Sequence, residues 1–508
     1  MTLNFVEALH QRVDIDGDQP FLLFEESTRT WSEAIGTVAR LATHLTSCGI
    51  TPGERVLLAC KNSPTFIYSW FALRWIGATC VPLHTSATTH SIRSMVANAG
   101  IRTALGDSNL LATVLEAIPE IPLRSIAFDD YTSLERTVDA LEKAPAASST
   151  PSDECSILYT SGTTGSPKGV VLSEKSFTSG GRHLAATIGI DRRDRILVAL
   201  PLFHINPQVY AISVAVVTGC SLALLPTFKP AELLREAVRH RATGFTYVGT
   251  LLQLVLMKST EFPETNLRFC VGGGATPAIW RSIEERIGAS VHELYGMTEL
   301  GGWVTATGTT NAKVGTCGQA RPDVEVAIVD DNDNRLDINQ IGQIVVRPVE
   351  PAVIFDGYNG QETLTLSRLR NLWFHTGDLG ELDTDGNLTF HGRADDMIRR
   401  GGENIAPSDV ESAVLEHEDI SEAAAVGVHD EVMGHEVKIV VVPYPDRHID
   451  PRSLIGFLAD RLPRFAQPRY IEIRETLPRT PTQKVLLGEL RQTGTDVFDI
   501  RAAVQESE

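Results

Sequence analysis

Residues 156–172 read Ser-Ile-Leu-Tyr-Thr-Ser-Gly-Thr-Thr-Gly-Ser-Pro-Lys-Gly-Val-Val-Leu, and the fold turns on how they are read. Short apolar runs flank a segment of hydroxyls, glycines and one lysine. Gly162 and Gly165 let backbone N–H groups turn toward an anion, Thr160, Ser161, Thr163 and Thr164 add hydroxyl donors, and Lys168 supplies charge. A plain turn between strands needs only a few such residues, so this stretch reads as a phosphate cradle. It is not a Walker loop, which requires Gly-Lys-Ser/Thr opening a helix. Here Pro167-Lys168-Gly169 leads into the apolar run 170–172, a strand. The setting is strand–loop–strand, and the loop 159–170 must hold the anion without a helix N-terminus.

On either side of this loop, helical and strand patterns alternate, as in a layered α/β fold. The spacing predicts helices over 31–48 and 65–77 and strands over 56–60 and 79–83. Residues 143–153 (KAPAASSTPSD) read as an exposed linker. Alternation resumes from 173 to about 303. Within it, 209–225 reads as a buried helix followed by a buried strand, because Ser213, Thr218 and Gly219 interrupt what would otherwise resemble a membrane span. From 315 the texture changes to short strands at 324–330 and 342–347 and a hairpin over 379–390 around Thr384-Asp385-Gly386-Asn387. After Gly392 a smaller α+β unit follows: a helix over 407–417, strands at 423–428 and 437–442, and a helix over 452–461 that Asp450-Pro451 should cap. The expected architecture is α/β. A large N-terminal domain (1–392) of layered α/β subdomains plus a β-rich subdomain precedes a hinge (393–395) and a small mobile α+β C-terminal domain (396–508).

With 45 basic against 64 acidic residues the net charge is −19, which argues against nucleic acid or an anionic membrane as a general partner. The seven cysteines are scattered with no CxxC spacing, so a disulfide framework is not expected. The start of the chain lacks a basic, then apolar, leader, and the expected compartment is cytoplasmic.

The motif YTSGTTGSPKGV resembles the phosphate-binding signature of the adenylate-forming superfamily: acyl- and aryl-CoA synthetases, peptide-synthetase adenylation domains and luciferases. Further motifs follow in that superfamily's order along nearly the whole chain. HTGDLG and MIRRGGEN give the nearest likeness to the crotonobetaine/carnitine-CoA ligase type. The resemblance implies an ATP-dependent, AMP-forming acid–thiol ligase that uses ATP, Mg²⁺ and CoA with a small-molecule acid, as a monomer or homodimer.

It also implies roles for individual residues. In Leu294-Tyr-Gly-Met-Thr-Glu299, Tyr295 and Gly296 would meet adenine, Thr298 the α-phosphate, and Glu299, with Thr160, the metal. An aromatic face suits a purine and hard oxygens suit Mg²⁺. Gly272, Gly273, Gly274 and Ala275, placed after a strand at 267–271, would approach adenine and the acid's carboxylate; no GxGxxG is present. Asp378 would accept the ribose hydroxyls, although a turn role suits it equally, and Arg393 would contact ribose or phosphate. Asp395 would be the pivot. Gly401, Gly402 and Glu403 would meet pantetheine, or simply form a turn. Lys484 would bridge carboxylate and α-phosphate electrostatically. His204, Tyr210, Val248, Gly249 and Gly274 would line the acid pocket, with His204 also close to the chemistry.

The chain departs from the family pattern at Asn206-Pro207, at Gln483, at Leu486-Leu487 and at Arg347-Pro-Val349. The amide at 206 suggests a polar or compact acid tail. These departures leave room for a non-CoA acceptor, either an amine in amide synthesis or an aryl amine receiving activated nitrite in diazo formation. A non-catalytic nucleotide binder is a third reading, opposed by Thr298, Glu299, Asp378, Arg393 and Lys484 occurring together.

Overall fold

The computed structural model describes residues 4–148, 150, 153–160, 168–310, 312–400, 403–479, 485–492 and 497–500, with backbone alone at 395, 403 and 404. The chain forms two compact units, Met1–Val326 with Val346–Phe374, and Ala327–Val345 with His375–Glu508.

The first unit holds two large sheets. In one, the strands Ser290–Tyr295, Phe269–Gly273, Gly244–Val248, Arg195–Val198, Ser221–Leu224 and Pro20–Phe24 lie side by side and parallel. Short antiparallel strands extend it: Thr305–Ala306 and Gln319–Ala320 at one edge, Ser27–Thr30 at the other. Parallel strands must be covered on both faces, which explains their unbroken apolar runs, such as Leu222–Leu224 and Phe269–Val271. In the other sheet Thr79–Pro82, Arg55–Ala59, Thr103–Asp107 and Arg124–Phe128 are parallel. Glu154–Thr160 joins them, and Lys168–Ser173 then pairs with it antiparallel.

The helices follow the sequence expectations closely. Trp31–Ser47 opens with a capping box between Thr30 and Glu33. Pro64–Trp75 is buried at every residue, which fits its apolar periphery. Its Arg74 forms a buried ion pair with Glu174, and the other oxygen of Glu174 accepts from the Phe5 amide at 2.8 Å.

Two expectations hold with added detail. Residues 143–148 are exposed or half-exposed, as expected of the linker over 143–153, and Ala144 N donates to Ala39 O at 3.0 Å and Ala147 N to Trp75 O at 2.8 Å, which ties this stretch to two helices. The buried helix before Ser221–Leu224 contains a π-helical stretch, Gln208–Ser213, ahead of Val214–Thr218. In its neighbour Glu174–Ile188, Gly181 lets the Ser213 backbone come so close that a Cβ there would lie 2.6 Å away.

The β-rich portion has Val324–Val329, Gly342–Pro348 and Trp373–Leu382 in sheet order, with Leu388–Arg393 completing the expected hairpin. In the second unit Ile420–Asp430, Gly434–Pro443, Tyr470–Ile473 and Val497–Asp499 form a sheet with the small hairpin Ile398–Arg400 and Glu403–Ile405. Helix Pro407–Leu415 buries Val410, Ala413 and Val414, the face its spacing predicts. Asp450 caps Pro451–Ala459 by accepting from the Arg452 and Ser453 amides. Among the described residues no helix is long and apolar enough to cross a membrane, and all seven cysteines are free thiols.

Candidate active site

The flanks of the glycine- and hydroxyl-rich loop are an antiparallel pair whose last matched residues are Thr160 and Lys168. Ser161, Gly162, Thr163, Thr164 and Gly165 lie outside the described residues. The strand–loop–strand setting is as expected, and it is braced from behind. Tyr159 Oη donates to Asn98 Oδ1 at 2.6 Å, Asn359 N donates to Gly169 O at 2.8 Å, and Arg55 spans Glu154 and Asn359. Burial pushes the Tyr159 hydroxyl above its ordinary value, against the pull of Arg55 and Asn359, so it stays a neutral donor.

The short strand Gly357–Tyr358 pairs antiparallel with residues 170 and 171 of the loop's exit strand. This brings Tyr358 between two of the expected site residues. Its hydroxyl donates to Glu299 Oε1 at 2.9 Å, and Lys168 Nζ stands 5.7 Å from its ring centroid. Glu299 and Thr298 sit together in a single 3₁₀ turn, Thr298–Leu300, both half-buried. The backbone oxygen of Glu299 accepts from Phe355 N at 2.9 Å. Arg321, fully buried, reaches Val353 O at 2.8 Å and Leu300 O at 3.4 Å, so it ties the two segments that carry Tyr358 and Glu299.

The parallel strands Gly244–Val248, Phe269–Gly273 and Ser290–Tyr295 end side by side, the place where open α/β sheets bind ligands. Gly272 and Gly273 lie within the strand, not after it, and Gly272 and Gly274 are needed for different reasons. A Cβ on Gly272 would lie 2.0 Å from Tyr247 O on the neighbouring strand, whereas Gly274 turns the chain with φ +97°. Gly249 faces this turn so closely that a Cβ there would lie 1.9 Å from Gly274 O. Val248 is matched in register with Gly273 and is partly exposed. Tyr295 closes the third strand as a buried side chain, and its carbonyl accepts from Val304 N at 2.9 Å. Gly296 follows it, against Gly302 and Trp303.

Glu293 lies under the turn. It is buried, and its oxygens accept from Gly274 N, from Ala275 N at 3.0 Å and from Tyr247 Oη at 2.6 Å. Burial pushes its carboxyl up to about 7, against the pull of these donors.

His204 belongs to a cluster of three rings: 4.6 Å between centroids to Phe203 and 5.8 Å to His84, with Phe203 4.4 Å from His84. Burial, with His84 beside it, pulls His204 down to about 4, so the ring is neutral at ordinary pH. Asn206 donates Nδ2 to Tyr247 O at 2.9 Å, which connects this segment to the strand ends. Only the amide nitrogen at 206 thereby serves the backbone, and its Oδ1 is buried with no hydrogen-bond partner among the described residues. Tyr210, in the π-helical stretch, is buried and donates to Gly302 O at 2.7 Å.

In the second unit Asp378 is a mid-strand residue of Trp373–Leu382, not a turn residue. It is matched across the hairpin with Arg393, and Arg393 Nε lies 3.0 Å from its Oδ1. The two residues expected at ribose are thus partners. Asp395 falls in the 3₁₀ turn Ala394–Asp396, its side chain outside the described residues. Gly401 and Gly402 are also outside them, between the paired strands Ile398–Arg400 and Glu403–Ile405; only the backbone of Glu403 is described. Lys484 is likewise outside, bracketed by a bridge between Arg479 and Val485.

Sequence reasoning missed Tyr358, Tyr247, Glu293 and Arg321. Only Glu293 carried a local signal: an acidic residue inside a strand whose neighbours Val291 and Leu294 are apolar. The other three act across more than twenty residues of sequence, beyond the reach of any local pattern.

Comparison with known proteins agrees with this geometry. Long-chain-fatty-acid–CoA ligase FadD13 of Mycobacterium tuberculosis is 29% identical over 91% of this chain and 92% of its own. 2-Succinylbenzoate–CoA ligase of Geobacillus kaustophilus is 30% identical over 92% and 93%. The structure of o-succinylbenzoate CoA synthetase (MenE) from Bacillus subtilis with its acyl-adenylate intermediate superposes with a TM-score of 0.84 at 27% identity, covering 96% of this chain and 98% of that one. Fatty-acid and aryl-acid ligases match about equally well, so the narrower likeness to carnitine-CoA ligases is not distinguished by them. The AMP-binding enzyme family matches residues 9–358 and its C-terminal domain residues 409–484, and with the braced hairpin loop, the Thr298–Glu299 turn and the glycine strand end all inside the first match, this chain belongs to the AMP-binding enzymes.

Proposed function

We propose that this protein is an AMP-forming acyl-CoA ligase: it joins a carboxylic acid to AMP with release of pyrophosphate, then passes the acyl group to CoA. The observation that carries the reading is the joining of Lys168 and Glu299 through Tyr358 at the foot of the phosphate loop. A cation for phosphate and a carboxylate for a metal are thereby held in one place, beside the strand ends that can take a base. Glu299, half-buried with one oxygen bonded to Tyr358, and the Thr160 hydroxyl are hard oxygen donors that fit Mg²⁺ arriving with ATP. The metal would neutralise phosphate charge as the α-phosphate is attacked.

In this reading Tyr295, Gly296 and the 272–275 turn receive adenine, Asp378 and Arg393 the ribose, and Thr298 the α-phosphate. Lys484 stabilises the charge that builds between carboxylate and phosphate. The segment 396–508 then rotates about Asp395, withdrawing Lys484 and presenting Gly401, Gly402 and Glu403 to the pantetheine of CoA. The neutral rings of His84, Phe203 and His204 favour an acid with an uncharged, compact tail, with Tyr210, Val248 and Gly249 forming nearby walls. The free cysteines suit a reducing, cytoplasmic setting, and the protein works as a monomer or homodimer.

The test is pyrophosphate–ATP exchange across a panel of aliphatic and aryl acids, followed by AMP release with CoA, with amines or with nitrite. Exchange with an acid alone, and AMP release raised by CoA, is the expected result. Release raised only by an amine or by nitrite with an aryl amine would replace the acceptor. No exchange with any acid would remove adenylation itself.

A further inference from the structure

Asn62 has no part in the roles assigned above, yet its side chain joins the two large sheets of the first unit. It stands just beyond strand Arg55–Ala59, in the sheet that also carries Thr79–Pro82. Its Oδ1 accepts from Leu202 N at 2.9 Å, and its Nδ2 donates to Leu200 O at 3.0 Å and to Leu225 O at 3.3 Å. Those three residues lie past the ends of Arg195–Val198 and Ser221–Leu224, in the other sheet. A single half-buried amide thus engages that sheet's backbone with its oxygen and with both hydrogens of its nitrogen. Turned over, it would set an oxygen against two carbonyl oxygens, so its orientation is fixed. Gln208, fully buried, holds the same segment from a second direction, Nε2 to Leu202 O at 2.8 Å.

Leu202 is followed directly by Phe203 and His204, whereas His84 follows Thr79–Pro82 in the sheet of Asn62. The ring cluster is therefore assembled from both sheets, with 4.4 Å between the Phe203 and His84 centroids and 5.8 Å between those of His204 and His84. Its spacing depends on what fixes one set of strand ends against the other, and Asn62 does so at the residue before Phe203. We propose that Asn62 is a positioning residue that sets which acids are accepted: by tying Leu202 to the sheet of His84 it fixes the spacing of the three rings, and with it the size of acid that fits against them. The inference rests on the functional reading above, in which these rings line the acid pocket. It adds to that reading a residue and a reason for the choice of acid. A wall that can shift admits acids of several sizes, so losing the stitch should relax the choice and not merely slow the reaction.

The residues assigned to ATP are braced by other bonds: Glu299 by Tyr358, and the flanks of the phosphate loop by Asn98, Asn359 and Arg55. Removing Asn62 leaves these in place. It also leaves the far end of the 202–206 segment attached, through Asn206 Nδ2 to Tyr247 O at 2.9 Å. The expected consequence is a loosened ring cluster on a folded chain, with nucleotide binding little changed. A stitch that served stability alone would behave otherwise, lowering the response to ATP and to every acid alike.

The experiment measures acid-dependent pyrophosphate exchange with straight-chain acids from acetate to octanoate and with benzoate and naphthoate. In the wild-type chain kcat/KM should differ at least tenfold between the best and the poorest acid. Asn62→Leu, similar in size but without polar atoms, should compress that spread at least fivefold while KM for ATP stays within twofold. Asn62→Asp keeps the acceptor for Leu202 N but turns an oxygen toward Leu200 O and Leu225 O, and it should compress the spread in the same direction. In His84→Ala the ring that Asn62 positions against is gone, so adding Asn62→Leu there should change the spread by less than twofold. A loss shared equally by all acids at an unchanged spread, or an effect of Asn62→Leu that is undiminished in the His84→Ala background, would overturn the proposal. Failure of both Asn62 variants to fold would mark the residue as structural and overturn it too. If the wild type shows no exchange with any acid, the functional reading fails and takes this inference with it. If exchange is intact and the spread alone refuses to move, only the inference about Asn62 is lost.

Discussion

The hydroxyl of Tyr358 donates to Oε1 of Glu299 at 2.9 Å, although 58 residues separate them in the chain. The bond fixes which carboxylate oxygen faces outward, while the ring of the same tyrosine lies near Lys168 Nζ. A hydrogen bond to a charged group contributes about 1.5–3 kcal/mol. Tyr358→Phe should therefore lower kcat/KM for ATP by about tenfold or more, and it should raise the Mg²⁺ concentration needed for half-maximal exchange. A drop in rate with no change in Mg²⁺ dependence would mean that Tyr358 does not act through Glu299.

The close approach of Gly249 to the Gly274 carbonyl gives a second prediction. Alanine at 249 would put a methyl 1.9 Å from that oxygen, so the turn or the start of helix Gly249–Lys258 must move. The expected cost is about 1–3 kcal/mol of stability, with KM for ATP raised roughly tenfold. Gly456 is the control. It lies inside helix Pro451–Ala459 with nothing within 4 Å of a Cβ, so Gly456→Ala should stabilise by about 0.5–1 kcal/mol. Urea midpoints for the two variants should move in opposite directions.

Arg321 is buried with its partner Asp323, Nε to Oδ1 at 3.2 Å, and Asp323 also accepts from Ser179 Oγ at 2.5 Å. Removing only the cation strands a buried carboxylate and the Val353 carbonyl. Arg321→Met should cost about 3–5 kcal/mol. Adding Asp323→Leu should return part of that loss, because the stranded charge goes with it. Strict additivity in a double-mutant cycle would show that the pair does not act as a unit.

Much of this arrangement is legible in the sequence, for identifiable reasons. Helices Trp31–Ser47, Pro64–Trp75 and Pro451–Ala459 announce themselves through caps, apolar spacing and a proline in the first turn, all local signals. The loop between Thr160 and Lys168 is equally local, since its composition fits little besides an anion. Asp378 escapes a local reading because a Gly-Asp pair also suits a turn; only its match with Arg393 across the hairpin shows it to be mid-strand. Asn206 is legible only in part: its Nδ2 is bonded to Tyr247 O, a backbone group that no spacing rule associates with it, while its Oδ1 is buried with no partner among the described residues. Tyr358 is legible only once Gly357–Tyr358 is in register with residues 170 and 171.

Glu411, on helix Pro407–Leu415, gives a prediction about pH. It is half-buried, accepts from Ala425 N at 2.9 Å, and is pushed up to about 7 by burial, with Asp396 adding in the same direction. A carboxyl whose folded value exceeds its unfolded one binds more protons folded than unfolded between the two values. Stability therefore falls as pH rises from about 4.5 to about 7 and stays lower above that. The loss from this group is on the order of 2–3 kcal/mol. Glu411→Gln keeps an oxygen for Ala425 N and carries no charge. It should stabilise the chain at pH 8 by that order and leave it unchanged near pH 4, as read from urea midpoints at the two pH values. Equal stabilisation at both would show that ionisation of Glu411 is not the cause.

Lys484 divides the two proposed half-reactions. It sits in a segment closed by the bridge between Arg479 and Val485 and by Leu486 N donating to Pro478 O at 2.9 Å. If its charge serves only the approach of carboxylate to α-phosphate, it is needed for forming the adenylate and idle once CoA attacks. Removing a preorganised charge aimed at a transition state costs about 10²–10³ in rate. Lys484→Ala should therefore reduce acid-dependent pyrophosphate exchange by about that factor. Thioester formation from a supplied acyl-adenylate and CoA should stay within a few-fold of wild type. Both steps falling together would place Lys484 in a role common to them, such as holding the nucleotide, and would remove the ground for a rotation that withdraws it.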